Sequence, residues 1–249
     1  MKNKRIVVLA SDCESSKWVY NALKKEFEIL QVIIETPISK KMLFKNRVKK
    51  IGFLKVFGQA LFSVIMVPIL KLKSKERRLA LIKEYNLDGS DFNKNEVYTV
   101  TSVNDDKCKA AIEKLQPDII LVNGTRIISK KILTCTNAIF VNMHVGITPF
   151  YRGSHGGYWA VKNNDILKFG TTIHLIDTGV DTGAIIKQAF ILPTNDDNFV
   201  SYPILQIGVG IKALMELVPN IINETYKVHK SDQKGKMYYQ PTIWQYFAN

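Results

Sequence analysis

The chain opens on an unbroken apolar run, Ile6-Val7-Val8-Leu9-Ala10, that gives way to polar residues 11–16. Apolar positions then recur at Trp18, Val19, Ala22 and Leu23, which predicts a helix over 17–27 with Ser15 or Ser16 as its cap. Residues 29–34 read as the next strand, so the chain starts as a βαβ unit. A first strand with no polar alternation predicts a parallel sheet covered on both faces. Further strands are expected at 97–100, at 119–122 ending in Asn123-Gly124, and at 138–144. Helices are expected at 105–115, 129–133 (one turn) and 155–163. Residues 170–176 and 184–188 read as two strands around a 177–183 loop, followed by a long helix over 201–222. A tail over 234–241 reads as a turn or strand returning to the body. The pattern is α/β: a Rossmann-like, mostly parallel twisted sheet with helices on both faces. Residues 1–200 form the sheet-based unit, and 201–249 a C-terminal helix and short tail. No internal repeat or low-complexity tract interrupts it.

Residues 39–85 depart from this alternation. They are helical in character and form a basic insertion at about 40–85. Between Lys40 and Arg78 twelve Lys/Arg face one acid, Glu76, so this stretch carries +11 of the chain's net +13. A basic balance confined to one segment argues against a nucleic-acid partner for the protein as a whole. Two readings stand for 40–78. One is a solvated insertion whose apolar face covers the sheet; the other is a contact with pyrophosphate, or a weak peripheral contact with an anionic membrane. Residues 51–70 approach the roughly 20 apolar residues a transmembrane helix needs. Gly52, Lys55, Gly58, Gln59 and Pro68 interrupt them, which favours a helix lying on the body or dipping into a membrane surface.

At 249 residues and 46% hydrophobic, the chain can build one large α/β domain. Cys13, Cys108 and Cys135 are odd in number and widely spaced, so neither a disulfide framework nor a zinc knuckle is expected. The basic start, Met1 to Arg5, precedes a run too short for a signal segment, and a cytoplasmic location is expected.

The chemistry concentrates late in the sheet. Asn142 and His144 stand two apart at a strand end, so both side chains face one side. Asp181 lies between Gly179 and Gly183 in a loop suited to close approach of a ligand. An amide, an imidazole and a carboxylate together can polarise a carbonyl, manage an amine proton and orient the imidazole. That set reads as acyl transfer without a covalent nucleophile. Asp177, the competing carboxylate, is expected to cap its loop. His144, His155 and His174 lack the tight spacing of a metal site, so no metal is expected. No G-x-S-x-G elbow is present for a serine hydrolase. Residues 11–16 contain no glycine and two acids, which disfavours a phosphate cradle there.

Asn142-x-His144-x-Gly-Ile-Thr-Pro, Tyr151-Arg-Gly, Gly170-Thr-Thr-Ile-His174 and Asp177-x-Gly-x-Asp181-x-Gly resemble the N10-formyltetrahydrofolate-dependent formyltransferase family. The likeness is specific over 118–188 and general before that. It implies catalytic roles for Asn142, His144 and Asp181. It implies a folate pocket built from Asn123, Gly124, Arg126, Ile127 and Ile128, with Asp177, Thr178 and Gly179 as the other wall. Thr148, Tyr151, Arg152 and His155 are the expected acceptor contacts. The family's usual Asn-x-His-Pro-Ser-Leu-Leu-Pro is here Asn-Met-His-Val-Gly-Ile-Thr-Pro, as in a divergent subgroup. The glycine-free first loop points away from glycinamide ribonucleotide as acceptor, and the roughly 50 residues after 200, short for an RNA-binding barrel, away from methionyl-tRNA. A nucleotide-linked amino sugar of polysaccharide or O-antigen biosynthesis, such as a dTDP- or UDP-linked 4-amino-4,6-dideoxyhexose, is the expected acceptor. A non-catalytic RNA- or membrane-binding protein on the same scaffold is the reading from another class. A homodimer contact through 237–244 is a further expectation.

Overall fold

The computed structural model describes residues 4–231, 233 and 235–248. The basic Met1-Lys2-Asn3 start and Lys234, the first residue of the expected tail, lie outside the described residues. Five parallel strands come first: β1 (Ile6–Ser11), β2 (Ile29–Glu35), β3 (Val97–Val100), β4 (Ile119–Asn123) and β5 (Ile139–His144). After the short β6 (Tyr151–Gly153), β7 (Gly170–Leu175) and β8 (Ile185–Phe190) add antiparallel strands at one edge. The order is β3-β2-β1-β4-β5-β7-β8. The chain therefore winds outward in both directions from β1 and β4, and this reversal opens a crevice at their carboxyl ends.

Alternation along β1 divides the core. Val7 and Leu9 pack with Ile33, Ile112, Ile120 and Phe140 on one face. Ile6, Val8 and Ala10 pack with Trp18, Leu23, Ile211 and Val218 on the other. Both faces are buried, which explains the unbroken apolar run. Helix α1 (Glu14–Lys24) begins three residues earlier than the apolar spacing indicates, with Cys13 at its N-cap. Ser15 and Ser16 therefore do not cap it. Ser16 is buried and its hydroxyl donates to the Asn123 carbonyl at 3.3 Å, tying the helix start to the end of β4.

The basic insertion folds as α2 (Lys40–Ile51), α3 (Phe53–Leu61), α4 (Val67–Lys73) and α5 (Lys75–Glu84). Gly52, at φ +85°, separates α2 from α3. Pro68 does not break the helix. A π-helical turn at Phe62–Met66 precedes it, and the wider turn absorbs the hydrogen bond that proline cannot donate. The apolar inner face of α3–α4 does not cover the sheet. Phe62 and Leu70 instead pack with Tyr158 and Phe199, while Leu81 of α5 joins the core cluster of β1 and α1.

Beyond β4 come α6 (Asp106–Leu115), capped by Asp105, and the single turn α7 (Lys130–Leu133). Helix α8 (Gly156–Lys162) follows β6. Helix α9 (Tyr202–Ile222) follows the boundary expected near residue 200, and it lies in the main core. Leu205, Ile211, Leu214 and Val218 belong to the same cluster as β1 and α1. Its length and mean hydropathy of 1.4 would suit a membrane span, but 67% of it is buried inside the protein. The tail returns as β9 (Lys236–Tyr238), parallel to β6, and ends in α10 (Ile243–Phe247). Within the chain, residues of 237–244 contact the body: Trp159 Nε1 donates to the Tyr239 carbonyl at 2.8 Å, and the Trp244 indole lies against Gly58.

Candidate active site

β5 is flanked by β4 and β7, with Asn142 opposite Val122 on one side and His174 on the other. Directly opposed residues of an antiparallel pair sit close enough to touch. Here Asn142 Nδ2 donates to His174 Nε2 at 3.1 Å. The tautomer follows from the other nitrogen: His174 Nδ1 lies 2.7 Å from the Leu175 carbonyl and must donate, leaving Nε2 to accept. His144, two residues on, is buried. Its Nε2 donates to the Tyr151 carbonyl at 2.8 Å, and its Nδ1 faces Asp181 Oδ2 at 3.6 Å. Asp181 Oδ1 lies 3.7 Å from His174 Nε2. One carboxylate thus stands between two imidazoles, and the amide of Asn142 is held by the second.

Asp181 adopts the left-handed conformation, φ +51°, and accepts from the Gly153 N–H at 2.9 Å. Burial by itself raises its pKa. The nearby His174 and His144 imidazoles and the Gly153 N–H outweigh that and hold it at about 2. Gly146 has no room for a side chain, because a Cβ would collide with the Tyr151 carbonyl and lie 2.6 Å from His144 Nε2. Asp177 Oδ1 accepts from Gly179 N at 2.9 Å and from Thr182 Oγ1 at 2.6 Å, which fixes the loop as expected.

These groups line a cavity of about 500 Å³. Seven of the eight residues expected around the folate lie on its wall: Asn123, Gly124, Arg126, Ile127, Ile128, Asp177 and Gly179, but not Thr178. Gly124, at φ +70°, packs so tightly on Ser11 that a Cβ would come within 2.8 Å of its hydroxyl. The cavity pairs apolar walls (Val122, Ile127, Ile176, Val180) with polar side chains (Asn123, Asn142, Asp177, Asp181), a combination that suits a ligand with both apolar and polar surface. The Arg126 guanidinium is itself committed to Glu35, 2.6 Å away, and to the Thr36 and Thr101 carbonyls, so it holds the loop.

The four expected acceptor contacts are dispersed. His155, at φ +59°, lines an adjoining cavity of about 540 Å³ and lies tilted against Phe199 with ring centroids 4.5 Å apart. Burial, helped by the charge of Arg47, lowers it to about 4, so the ring is neutral at neutral pH. Thr148 and Arg152 line a third cavity on the far side of Asp181. The Tyr151 side chain turns away and donates to Asp165 at 3.0 Å; only its carbonyl serves the site. Sequence reasoning missed His174 as a site residue, although it closes the Gly-Thr-Thr-Ile-His motif and a paired β7 places it against Asn142. It raised a pyrophosphate contact for 40–78 without singling out Lys71 or Arg78, which line the adjoining cavity, and it missed Trp18 there and Met237 and Tyr238 on the cavity beside Asn142. Nothing in the spacing brings those segments together. Among the described residues no group of three or more His, Cys, Asp or Glu side chains is arranged to hold a metal.

An amide and an imidazole on one strand and a buried carboxylate beside them, all on the wall of one cavity, form a set suited to group transfer. The formyl transferase family profile matches residues 4–202, and the chain belongs to that family. Among curated relatives, the methionyl-tRNA formyltransferase of Desulfotalea psychrophila is 30% identical over 133 residues, covering 53% of this chain and 41% of that protein. The chain spans less than half the length of the first curated relatives it matches. Two solved structures share the fold. The phosphoribosylglycinamide formyltransferase of Anaplasma phagocytophilum superposes with a TM-score of 0.60 at 16% identity, covering 96% of this chain and 100% of that one. An N-formyltransferase from Helicobacter canadensis, in complex with folinic acid and dTDP-3-aminofucose, superposes with a TM-score of 0.56 at 17% identity, covering 93% of this chain and 70% of that one.

Proposed function

We propose that the protein transfers a formyl group from N10-formyltetrahydrofolate to the amine of a nucleotide-linked amino sugar. The observation that carries this reading is the cavity joined to the catalytic one. The two share Ser15, Val145, Gly153, Ser154 and Ile207 as a common wall. Lys71 and Arg78 enter the adjoining cavity from the basic insertion, and Arg78 Nε is buried with no hydrogen-bond partner among the described residues. The Tyr158 hydroxyl, on the same cavity, is also buried and unpartnered among the described residues. Cations without carboxylate partners suit a diphosphate. The adjacent His155 and Phe199, with Trp18, suit a base or sugar ring. The Helicobacter canadensis protein takes a folate and a dTDP-amino sugar on the same fold, which supports the pairing.

The donor supplies the formyl carbon, and the chain's own groups do the rest. The amine nitrogen attacks that carbon; its new N–C bond replaces the bond to N10, and the amine proton passes to the departing nitrogen. The second N–H of the Asn142 amide is the donor for the oxygen that becomes negative, since His174 fixes the first. His144 donates through Nε2 to the Tyr151 carbonyl, so its Nδ1 is the nitrogen that takes up and returns the proton, with Asp181 as its counter-charge.

A second reading keeps the chemistry and changes the acceptor to methionyl-tRNA, the substrate named in the curated relatives. One assay separates the two. The protein is incubated with N10-formyltetrahydrofolate and, separately, with amino-sugar nucleotides, glycinamide ribonucleotide and methionyl-tRNA. The mass gain of a formyl group is then followed in each. Formylation of a sugar nucleotide that is lost in His144→Asn supports the proposal. Formylation of methionyl-tRNA alone replaces the acceptor, and full turnover in His144→Asn removes the catalytic assignment.

A further inference from the structure

The basic insertion carries an apolar face that the protein does not cover. Phe53, Leu54, Phe57, Val64 and Ile65 recur on one side of the continuous helix Phe53–Lys73. Leu54 is 69% exposed, Val64 74% and Leu72 77%. Phe44 of α2 joins them edge-on to Phe53 at 6.4 Å, and Phe53 stacks on Phe57 at 6.1 Å, so the exposed rings form one patch. No residue of α2 is buried, and Met42 and Leu43 are exposed beside Phe44. A contiguous exposed apolar patch marks an interaction site. This one is rimmed by cation. Of the twelve Lys/Arg in 40–78, only Arg77 pairs with a carboxylate among the described residues.

We propose that α2 and the outer face of α3–α4 dock the protein on an anionic lipid surface, the aromatic and aliphatic patch entering the headgroup boundary and the lysines meeting lipid phosphates. The charge complementarity is specific to that occupant. A second copy of the chain would bring one +11 segment against another. RNA would satisfy the lysines but offers no apolar phase for Leu54, Val64, Ile65 and Leu72. A spanning helix is opposed by the inner face of the same helix. Phe62 packs edge-on against Phe199 at 4.8 Å, Gln59 Nε2 donates to the Gln240 carbonyl at 2.7 Å, and Gly58 lies under the Trp244 indole. Crossing the bilayer would strip all of these contacts, whereas lying on it strips none. An amphipathic cationic helix with aromatic residues on its apolar face is the form that binds at the interface.

The full-length protein is sedimented with vesicles of phosphatidylcholine alone and of phosphatidylcholine with phosphatidylglycerol, at low and high salt. Two variants accompany it: Phe53→Ser/Leu54→Ser/Phe57→Ser, and Lys45→Gln/Lys49→Gln/Lys55→Gln. All six side chains lie outside the core, and thermal unfolding of each variant verifies that it folds. The expected result is salt-sensitive binding to the anionic vesicles only, weakened roughly a hundredfold by the loss of three lysines and at least tenfold by the loss of the apolar patch. Three results overturn the proposal. One is absence of binding to anionic vesicles. Another is vesicle binding indifferent to the apolar variant, with equal affinity for tRNA, which would make the segment a phosphate-binding face for RNA. The third is a dimer in light scattering that the apolar variant dissociates while vesicle binding is nil, which would make the patch an interface between copies.

Discussion

Asp181→Asn isolates one charge without changing the shape that carries it. The carboxylate is mostly buried, accepts from the Gly153 N–H, and stands 3.6 and 3.7 Å from ring nitrogens of His144 and His174. Its carboxyl is lowered from 3.8 to about 2, the burial cost being outweighed by His174, His144 and Gly153. A carboxyl lowered in the folded state stabilises the fold above the unfolded value, near pH 4, and loses that contribution as pH falls through about 2. The ionised carboxylate therefore contributes about 2 kcal/mol to the folded state at pH 7, and about half of that at pH 3. Asparagine keeps the hydrogen bond from Gly153 and removes the titration. Urea unfolding of both proteins at pH 7 and pH 3 measures it directly. The variant should be less stable by about 2 kcal/mol at pH 7, and the gap should narrow by about 1 kcal/mol at pH 3. An equal gap at both values would show that Asp181 holds the loop by shape alone and that its charge is not coupled to the histidines. In the formyl-transfer assay the same variant should lose ~10²-fold or more in kcat, because His144 loses its counter-charge.

Two further substitutions test the frame around that centre. His174→Phe removes the acceptor that turns the Asn142 amide, so kcat should fall roughly tenfold with little change in KM, and His174→Gln should recover part of it; a change in KM alone would assign His174 to binding. Arg77→Ala removes the cation that grips the buried Asp197 carboxylate at 2.9 and 3.0 Å, leaving it the Thr194 and Ser201 donors, and should cost about 1–3 kcal/mol in urea unfolding, partly restored by adding Asp197→Asn; an unchanged midpoint would mean that the basic insertion is not fastened to the loop before α9.

Most of the fold was legible because its strands are buried on both faces. Val7, Leu9, Ile120 and Val122 need no partner to declare themselves, and the βαβ opening follows from the connection they require. The boundary errors have local causes. Helix α1 starts at Glu14 because Ser16 is drawn to the Asn123 carbonyl at the end of β4, a contact that spacing cannot show. Pro68 reads as a breaker in the sequence, and only the π-helical turn before it lets the helix continue.

What the sequence indicated alone is the candidate trio Asn142, His144 and Asp181 and the class of chemistry it suits. Asn142 and His144 share a strand face by the period of two, and the glycines around Asp181 announce a loop free to approach them. The tertiary structure decided what those side chains touch. Strand pairing across β5 and β7 places His174 on Asn142, and the left-handed turn at Asp181 sets one carboxylate between two imidazoles. It also turned the Tyr151 phenol onto Asp165 and left only its carbonyl to serve His144. Above all it carried Lys71 and Arg78 over the site while leaving Phe53, Leu54 and Phe57 uncovered. Periodicity reports which face of an element is apolar. Which face is buried, and against what, depends on contacts between residues far apart in the chain, and no local pattern encodes them.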